Sequence, residues 1–183
     1  MFKRAKTVPK LMFAVRPSKI IPTEVATFAV RPIKKGEIIH RGDSPEEVVI
    51  LRPSDVKKLD PVTRKFVADF CVLDEDNEYC VPADPNNMGS SWYFNHSCMP
   101  NVDYDKKGNW VAGRNIKKDE ELLLDYARMI IDPQFKMKCS CGAPNCRGTI
   151  TGQDRLDPKY RKENINKMWP GLGRPAAKKS KRR

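Results

Sequence analysis

The chain has 183 residues, which suits one domain with tails on a scale of about 100–200 residues per domain. Its formal net charge is +12, and 39% of its residues are hydrophobic, enough for a modest core. No stretch nears the roughly 20 apolar residues of a membrane span, and the early apolar run at 11–15 falls short of the roughly 7–15 residues of a secretory signal. The reading is therefore a soluble, intracellular protein with no membrane partner.

The charge is unevenly spread. Residues 66–105 carry eight acids (Asp69, Asp74, Glu75, Asp76, Glu78, Asp84, Asp103, Asp105) and no Lys or Arg. The remainder holds 35 basic and 15 acidic residues, a balance of +20. Such a protein can hold a polyanion with one part and a cationic peptide with another. Asp74, Glu75, Asp76 and Glu78 are the acids expected to attract the peptide.

Residues 1–18 are basic, with Lys3, Arg4, Lys6, Lys10 and Arg16, and run into a first strand at 11–15. Residues 25–30 read as a strand, rich in β-branched and aromatic side chains. Lys34-Lys35-Gly36-Glu37 is a turn, and the same chemistry returns at Ile116-Lys117-Lys118-Asp119-Glu120-Glu121. Residues 48–51 suit another strand. Asp60-Pro61 reads as an N-cap followed by proline at the first helical position. Val62, Phe66 and Phe70 then fall at i, i+4 and i+8, a helix face expected to pack in the core.

A loop at 82–87 leads to Trp92-Tyr93-Phe94-Asn95-His96-Ser97-Cys98-Met99-Pro100-Asn101. Lys106-Lys107-Gly108-Asn109 is a hairpin turn between strands at 102–104 and 110–112. Leu122-Leu123-Leu124 is an apolar strand ending at Asp125-Tyr126, and Asp132-Pro133 begins a connector. Asp157-Pro158 repeats the N-cap and proline signal of a last helix. Pro170, Gly171, Gly173 and Pro175 precede the basic run 178–183 and point to disorder.

Six cysteines allow either three disulfides or a metal. Cys139, Cys141 and Cys146 stand at C-x-C-x4-C spacing, one short of a four-thiolate zinc site, and Cys98 can supply the fourth ligand. Without a signal sequence, and with C-x-C too tight for easy pairing, metal is the better reading. A metal there folds the C-terminal segment over the Asn95-His96 loop and builds a cleft. Cys71 and Cys80 lack ligand spacing and read as buried thiols.

Three ordered motifs now stand together: Asn95-His96-Ser97-Cys98-x-Pro100-Asn101, Glu120-Glu121-Leu122-x-x-Asp125-Tyr126, and the cysteine triad. Over residues 20–152 the chain resembles the SET domain with its post-SET zinc loop. The resemblance implies a mainly β fold with short helical insertions (α+β), in small curved sheets around a pseudoknot. It divides the chain into a basic segment 1–18, a SET domain 19–131, a post-SET loop 132–152 and an extension 153–183.

The family transfers methyl groups from S-adenosylmethionine to protein lysines. The resemblance assigns catalysis to Tyr126, with Tyr104 as a second channel tyrosine. It assigns the cofactor to Val25, Ala26, Trp92, Asn95, His96 and Tyr126, and a structural zinc to Cys98, Cys139, Cys141 and Cys146. Asn145, Arg147 and Gly148 are expected beside the cleft. Two positions depart from the pattern. Glu24-Val25-Ala26 stands where the family has Gly-x-Gly, whose glycines allow close backbone approach. Trp92 stands where the family often has Arg.

The implied substrate is a basic, histone-like tail, with nucleic acid held by the basic termini. The implied location is nuclear in a eukaryote and cytoplasmic otherwise. The competing reading is a non-catalytic, zinc-stabilised module that binds nucleic acid or chromatin through those tails.

Overall fold

The structure is a computed structural model that describes residues 10–42, 48–73 and 77–170. Strands β1 (Phe13–Pro17) and β2 (Val25–Ala29) form an antiparallel ribbon, with Phe13 opposite Ala29 and Pro17 opposite Val25. Strand β3 (Ile38–His40) follows the Lys34-Lys35-Gly36 turn. Strand β4 (Val48–Leu51) opens an insert, continued by helices α1 (Pro53–Val56) and α2 (Pro61–Phe70) and strands β5 (Val72–Leu73) and β6 (Tyr79–Pro82). The insert strands form their own antiparallel sheet in the order β4-β6-β5.

Helix α2 starts where its sequence dictates. The Asp60 carboxylate accepts the N–H groups of Val62 and Thr63 at 3.0 and 3.1 Å, and Pro61 takes the first helical position. Its expected core stripe is corrected, however. Val62 is 79% exposed and Phe70 43%, and only Val67 of this helix is buried. The three-stranded insert sheet covers one side of the helix, and of the stripe only Phe66 packs on the small core of Val56, Val67 and Val81, stacking on Phe70 with centroids 5.2 Å apart. Cys71 and Cys80 are half-buried, not buried. Burial, with Cys80 nearby, pushes the Cys71 thiol up to about 12, so it is inert.

Beyond a 3-10 turn at Ser90–Tyr93 come β7 (Asn95–His96), β8 (Val102–Tyr104), β9 (Trp110–Ala112) and β10 (Leu123–Leu124). Strands β3, β9 and β8 make a second antiparallel sheet in that order. The 106–109 turn closes as expected, shaped by the Asp105 carboxylate accepting the N–H groups of Lys107 and Asn109. Strands β7 and β10 run parallel, with Asn95 opposite Leu123 and His96 opposite Leu124. The main core, including Ile33, Phe94, Tyr104, Ile116, Leu122 and Leu124, packs around this pair. The molecule is mainly β with short helical insertions, as its sequence implied.

Several acids of the 66–105 window are committed to the fold. Asp69 pairs with Lys65 at 2.6 Å, Asp103 pairs with Arg128, and Asp105 shapes its turn. Glu78 is half-buried. Asp74, Glu75 and Asp76 lie outside the described residues, as do the first nine residues and the basic run 178–183.

The C-terminal part holds more order than its sequence signalled. Strands β11 (Lys136–Lys138) and β12 (Thr149–Thr151) form a hairpin at the base of the cysteine loop. Helix α3 (Pro158–Asn164) is capped by Asp157, which accepts the Tyr160 N–H at 2.7 Å. The segment then docks on the core. Buried Arg128 donates to Asp103 and to Asn164, the latter at 2.8 Å, and the Trp169 N–H donates to the Arg128 carbonyl at 2.9 Å. Met168 is buried, and Trp169 meets Tyr104 edge-on with centroids 5.4 Å apart. Among the described residues no helix is long and apolar enough to cross a membrane.

Gly152 ends the β11–β12 hairpin against the Asp132 carbonyl, and a Cβ there would sit 1.7 Å from that oxygen. Overpacking of this kind costs about 1–3 kcal/mol. Gly152→Ala is expected to lower Tm by about 2–12 °C. Thermal unfolding followed by circular dichroism checks this, and an unchanged Tm would show that the connector yields freely.

Candidate active site and metal centre

The site grows from the β7–β10 pair. Two residues per strand cannot hold a register alone, and Asn101, 1% exposed, braces them. Its side chain donates to the Glu121 carbonyl at 2.8 Å and accepts the Leu123 N–H at 2.8 Å. Its own N–H donates to the Leu123 carbonyl at 3.2 Å, and the Ser97 N–H donates to the Leu124 carbonyl at 2.8 Å. Asn95 and His96 are thereby fixed beside the strand that leads into Asp125 and Tyr126.

His96 links the two halves. Its Nδ1 accepts the Tyr126 N–H at 3.1 Å, which puts the ring proton on Nε2, 3.5 Å from Cys98 Sγ. Burial lowers the imidazole to about 4, against the opposing charge of Asp125. His96 is therefore a neutral bridge at physiological pH, not a general base. Its ring also packs against Tyr126, centroids 5.3 Å apart.

Asn95 faces the other way. Its amide donates to the Val25 carbonyl at 3.2 Å and to Glu121 Oε1 at 3.3 Å. Glu121, 5% exposed, also accepts from the Ser18 hydroxyl at 2.9 Å and the Lys19 N–H at 2.8 Å. Ala26 is fully buried, while Val25 is 45% exposed. Among the described non-glycine residues only Asn77 and Asp119 have positive φ, so Glu24-Val25-Ala26 keeps an ordinary backbone. Trp92 is half-buried in the 3-10 turn, which the Thr27 hydroxyl ties to β2 by donating to the Ser90 carbonyl at 2.8 Å.

The two tyrosines differ. Tyr126 is half-buried and donates its hydroxyl to the Phe94 carbonyl at 3.0 Å. Tyr104 is 2% exposed and donates to Met129 Sδ at 3.2 Å. Burial raises both phenols well above their usual range, with Glu24 adding to the effect at Tyr126 and Tyr126 at Tyr104. Both remain neutral phenols at physiological pH, able to orient a substrate group but not to act as tyrosinate.

Cys98, Cys139, Cys141 and Cys146 converge, with all four Sγ atoms within 4.8 Å of one another. Tetrahedral zinc with Zn–S bonds of about 2.3 Å sets its sulfurs roughly 3.8 Å apart, and Cys98 and Cys139 are already at 3.9 Å. Backbone N–H groups point at the sulfurs: Arg147 to Cys98 at 3.3 Å, Cys98 to Cys141 at 3.5 Å, and Gly148 to Cys146 at 3.4 Å. Such donors favour thiolates. Burial opposes ionisation of Cys141, yet the N–H groups of Cys98 and Ala143, with hydrogen bonds to Cys139 and Ser97, outweigh it and lower that thiol to about 6, whereas burial raises the thiols of Cys98 and Cys139. The donor set fits a closed zinc site.

Of the residues expected beside the cleft, Asn145, Arg147 and Gly148 brace the cysteine loop, Asn145 by donating to the Cys98 carbonyl at 3.1 Å. A groove of about 630 Å³ runs between this loop and α3, lined in part by Asn145 and Arg147. Arg147 is the pivot. It donates to Asp125 Oδ1 at 2.5 Å and lies over the Tyr160 ring, whose hydroxyl donates to Asp125 Oδ2 at 2.9 Å. Sequence reasoning gave no role to Ser18, to Glu121 or to this cluster around Asp125. The Glu120-Glu121 doublet was a visible signal, whereas nothing local marks Ser18.

Comparison with known proteins adds a family. The SET domain model matches residues 25–127. Histone-lysine N-methyltransferase trr of Drosophila melanogaster is 46% identical over 127 residues, 66% of this chain and 5% of that protein. Histone-lysine N-methyltransferase 2D of Homo sapiens is 40% identical over 79 residues, 39% of this chain and 1% of that protein. The H3 lysine-36 specific histone-lysine N-methyltransferase of Mycosarcoma maydis is 30% identical over 155 residues, covering 75% of this chain and 15% of that protein. The chain thus spans a small fraction of the curated relatives it matches.

Asp125 is 2% exposed at its side chain and Arg147 24%. Removing one partner of a buried pair costs about 3–5 kcal/mol, and the exposure of Arg147 places Asp125→Ala at the low end. Tyr160→Phe removes one hydrogen bond, worth about 1 kcal/mol. Urea unfolding of the two variants is expected to separate them by about 2 kcal/mol, and equal losses would show that Arg147 does not depend on Asp125.

Proposed function

Because this chain belongs to the SET-domain family, we propose that it is an S-adenosylmethionine-dependent protein-lysine N-methyltransferase acting on histone-like basic tails. The observation that carries this reading is that one parallel strand pair brings Asn95, His96 and Tyr126 together while His96 reaches Cys98. The relatives' names supply the substrate class.

Asn95 and His96, with Val25, Ala26, Trp92 and Tyr126, are assigned to the cofactor, which supplies a sulfonium-bound methyl group when present. The attacking lysine must be neutral, although its ordinary pKa is about 10.4. An apolar channel disfavours the ammonium and favours the free amine. Tyr126, held neutral, orients that amine through its hydroxyl. Tyr104, whose hydroxyl rests on Met129, is the second channel tyrosine. Zinc on the four cysteines is structural, because four protein ligands leave no open position for water. In a eukaryotic source the enzyme works in the nucleus, otherwise in the cytoplasm, and its basic ends hold nucleic acid.

The competing reading, a non-catalytic module, rests on the ordinary backbone at Glu24-Val25-Ala26 in place of a glycine pair, and the relatives' names do not favour it. Thermal stabilisation separates the two, since a bound ligand raises stability by RT ln(1 + [L]/Kd). A Tm raised by S-adenosylmethionine, together with radiolabel transferred to core histones, is the expected result. No shift and no transfer to any basic protein would favour the module.

Tyr126→Phe is expected to lower turnover about 100-fold or more with cofactor affinity nearly intact. Loss of cofactor binding and of folding in this variant would make Tyr126 a core residue instead. Cys141→Ser is expected to lose zinc, measured by elemental analysis of the purified protein, and to lose turnover with it. Full activity in a metal-free preparation would refute the structural zinc.

A further inference from the structure

The sequence carries one heptapeptide pattern twice, Arg31-Pro32-Ile33-Lys34-Lys35-Gly36-Glu37 and Arg114-Asn115-Ile116-Lys117-Lys118-Asp119-Glu120. The proposed methyl transfer uses neither copy. The fold sets the two side by side. Ile33 and Ile116, 1% and 2% exposed, exchange both backbone hydrogen bonds at 2.9 Å. The turns that follow are built alike. The Glu37 N–H donates to the Lys34 carbonyl at 3.0 Å, and the Glu120 N–H to the Lys117 carbonyl at 3.3 Å. Each glutamate side chain accepts the first lysine's N–H, Glu37 from Lys34 at 3.1 Å and Glu120 from Lys117 at 2.9 Å. Gly36 and Asp119 supply the positive φ at the same place, 81° and 62°. An antiparallel bridge between like segments relates them by a local two-fold axis.

This symmetry sorts the charges. Each arginine is held by its own glutamate, Arg31 by Glu37 at 2.6 Å and Arg114 by Glu120. Lys34, Lys35, Lys117 and Lys118 are exposed, and their ammonium groups form no ion pair among the described residues. Arg16 and Lys19 flank the second turn, Arg16 pairing with Asp119 at 2.6 Å and Lys19 donating to the Asp119 carbonyl at 2.8 Å. Lys19, Arg114, Lys117 and Lys118 share a shallow basin of about 480 Å³ with Asp119, Glu120 and Glu121. Counting Glu37 as well, eight cations face four acids, a local excess of +4.

We propose that this twin-turn ridge binds the phosphate backbone of a nucleic-acid duplex. Lysine ammoniums are compact point charges suited to phosphate, and phosphate contacts hold a protein on a duplex without reading its sequence. The two lysine pairs share a two-fold relation, as do the two antiparallel backbones of a duplex. No exposed large hydrophobic residue lies in 31–37 or 114–121, so the ridge has neither a stacking platform for single strands nor an anchor for a membrane. Among the described basic residues of the two ends only Arg16 reaches the ridge, where it is paired with Asp119, and the inference does not rest on the proposed methyl transfer.

The test is fluorescence anisotropy of the full chain, without cofactor, on a short labelled duplex of mixed sequence over a salt series. Each phosphate contact contributes about 0.9 to the slope of log K against log salt. The variant K34Q/K35Q/K117Q/K118Q is expected to lose about 3–4 of that slope and at least about 10-fold in affinity at low salt, with Tm unchanged. The double variants K34Q/K35Q and K117Q/K118Q should each lose about half, which keeps the test decisive if the quadruple variant fails to fold. Unchanged slope and affinity in both doubles would overturn the ridge and leave binding to the termini. Tighter binding of single strands or of poly-glutamate than of duplex would overturn the choice of partner.

Discussion

The candidate active site hangs from two residue pairs, Asn95 beside Leu123 and His96 beside Leu124. A parallel pairing of that length has almost no stability of its own, and the two strands are separated by a hairpin and two turns. Asn101 resolves this by spending its carboxamide on the backbone of the partner strand, at Glu121 and Leu123. A buried amide bonded on both its donor and acceptor sides is costly to disturb, because any lost partner stays unsatisfied. From this fixed pair Asn95 projects toward β2, His96 toward the cysteines, and Tyr126 leaves along the strand axis.

The arrangement couples the cysteine cluster to the tyrosine without a direct contact. Cys98 Sγ lies by His96 Nε2, and His96 Nδ1 holds the Tyr126 backbone. On the far side, Arg147 donates its N–H to Cys98 and its guanidinium to Asp125, the residue before Tyr126. The cysteine loop therefore grips the Asp125-Tyr126 corner from both sides. A metal that ordered the loop would also order the corner, and its binding and folding would then share one free energy.

Much of this was legible in the sequence because the signals were local or chemically rare. Asp60-Pro61 and Asp157-Pro158 announced their helices, and Lys106-Lys107-Gly108-Asn109 its hairpin. Four thiols spread over 98–146 converge as their spacing suggested. What stayed hidden was long-range or two-sided. Ser18 reaches Glu121 across 103 residues, and no local pattern encodes that bond. The Val62-Phe66-Phe70 stripe was a correct helical period with the wrong neighbour, since periodicity tells which face is apolar but not how wide a surface will cover it. The docking of 153–170 was unreadable for the same reason: Arg128, Asn164, Tyr160 and Trp169 each look like surface residues until Asp103, Asp125 and Tyr104 are placed beside them.

The loop leading into β2 has no glycine at residues 24–26, and hydrogen bonds hold it. Glycine gives freedom to a loop that must approach closely; here the loop is held instead. Ser18 accepts the N–H groups of Ile20 and Ile21 at 3.1 and 3.0 Å and donates to Glu121. The Ser18 N–H donates to the Glu24 carbonyl at 2.8 Å, and the Glu24 N–H to the Ile21 carbonyl at 2.9 Å, closing the loop onto β2. Glu121 then joins this loop to the Asn95 amide, which also holds the Val25 carbonyl. With so many bonds converging, residues 24–26 need no left-handed conformation, and a larger side chain at each is tolerated. A buried carboxylate with three donors from two distant segments thus sets the position of the strand.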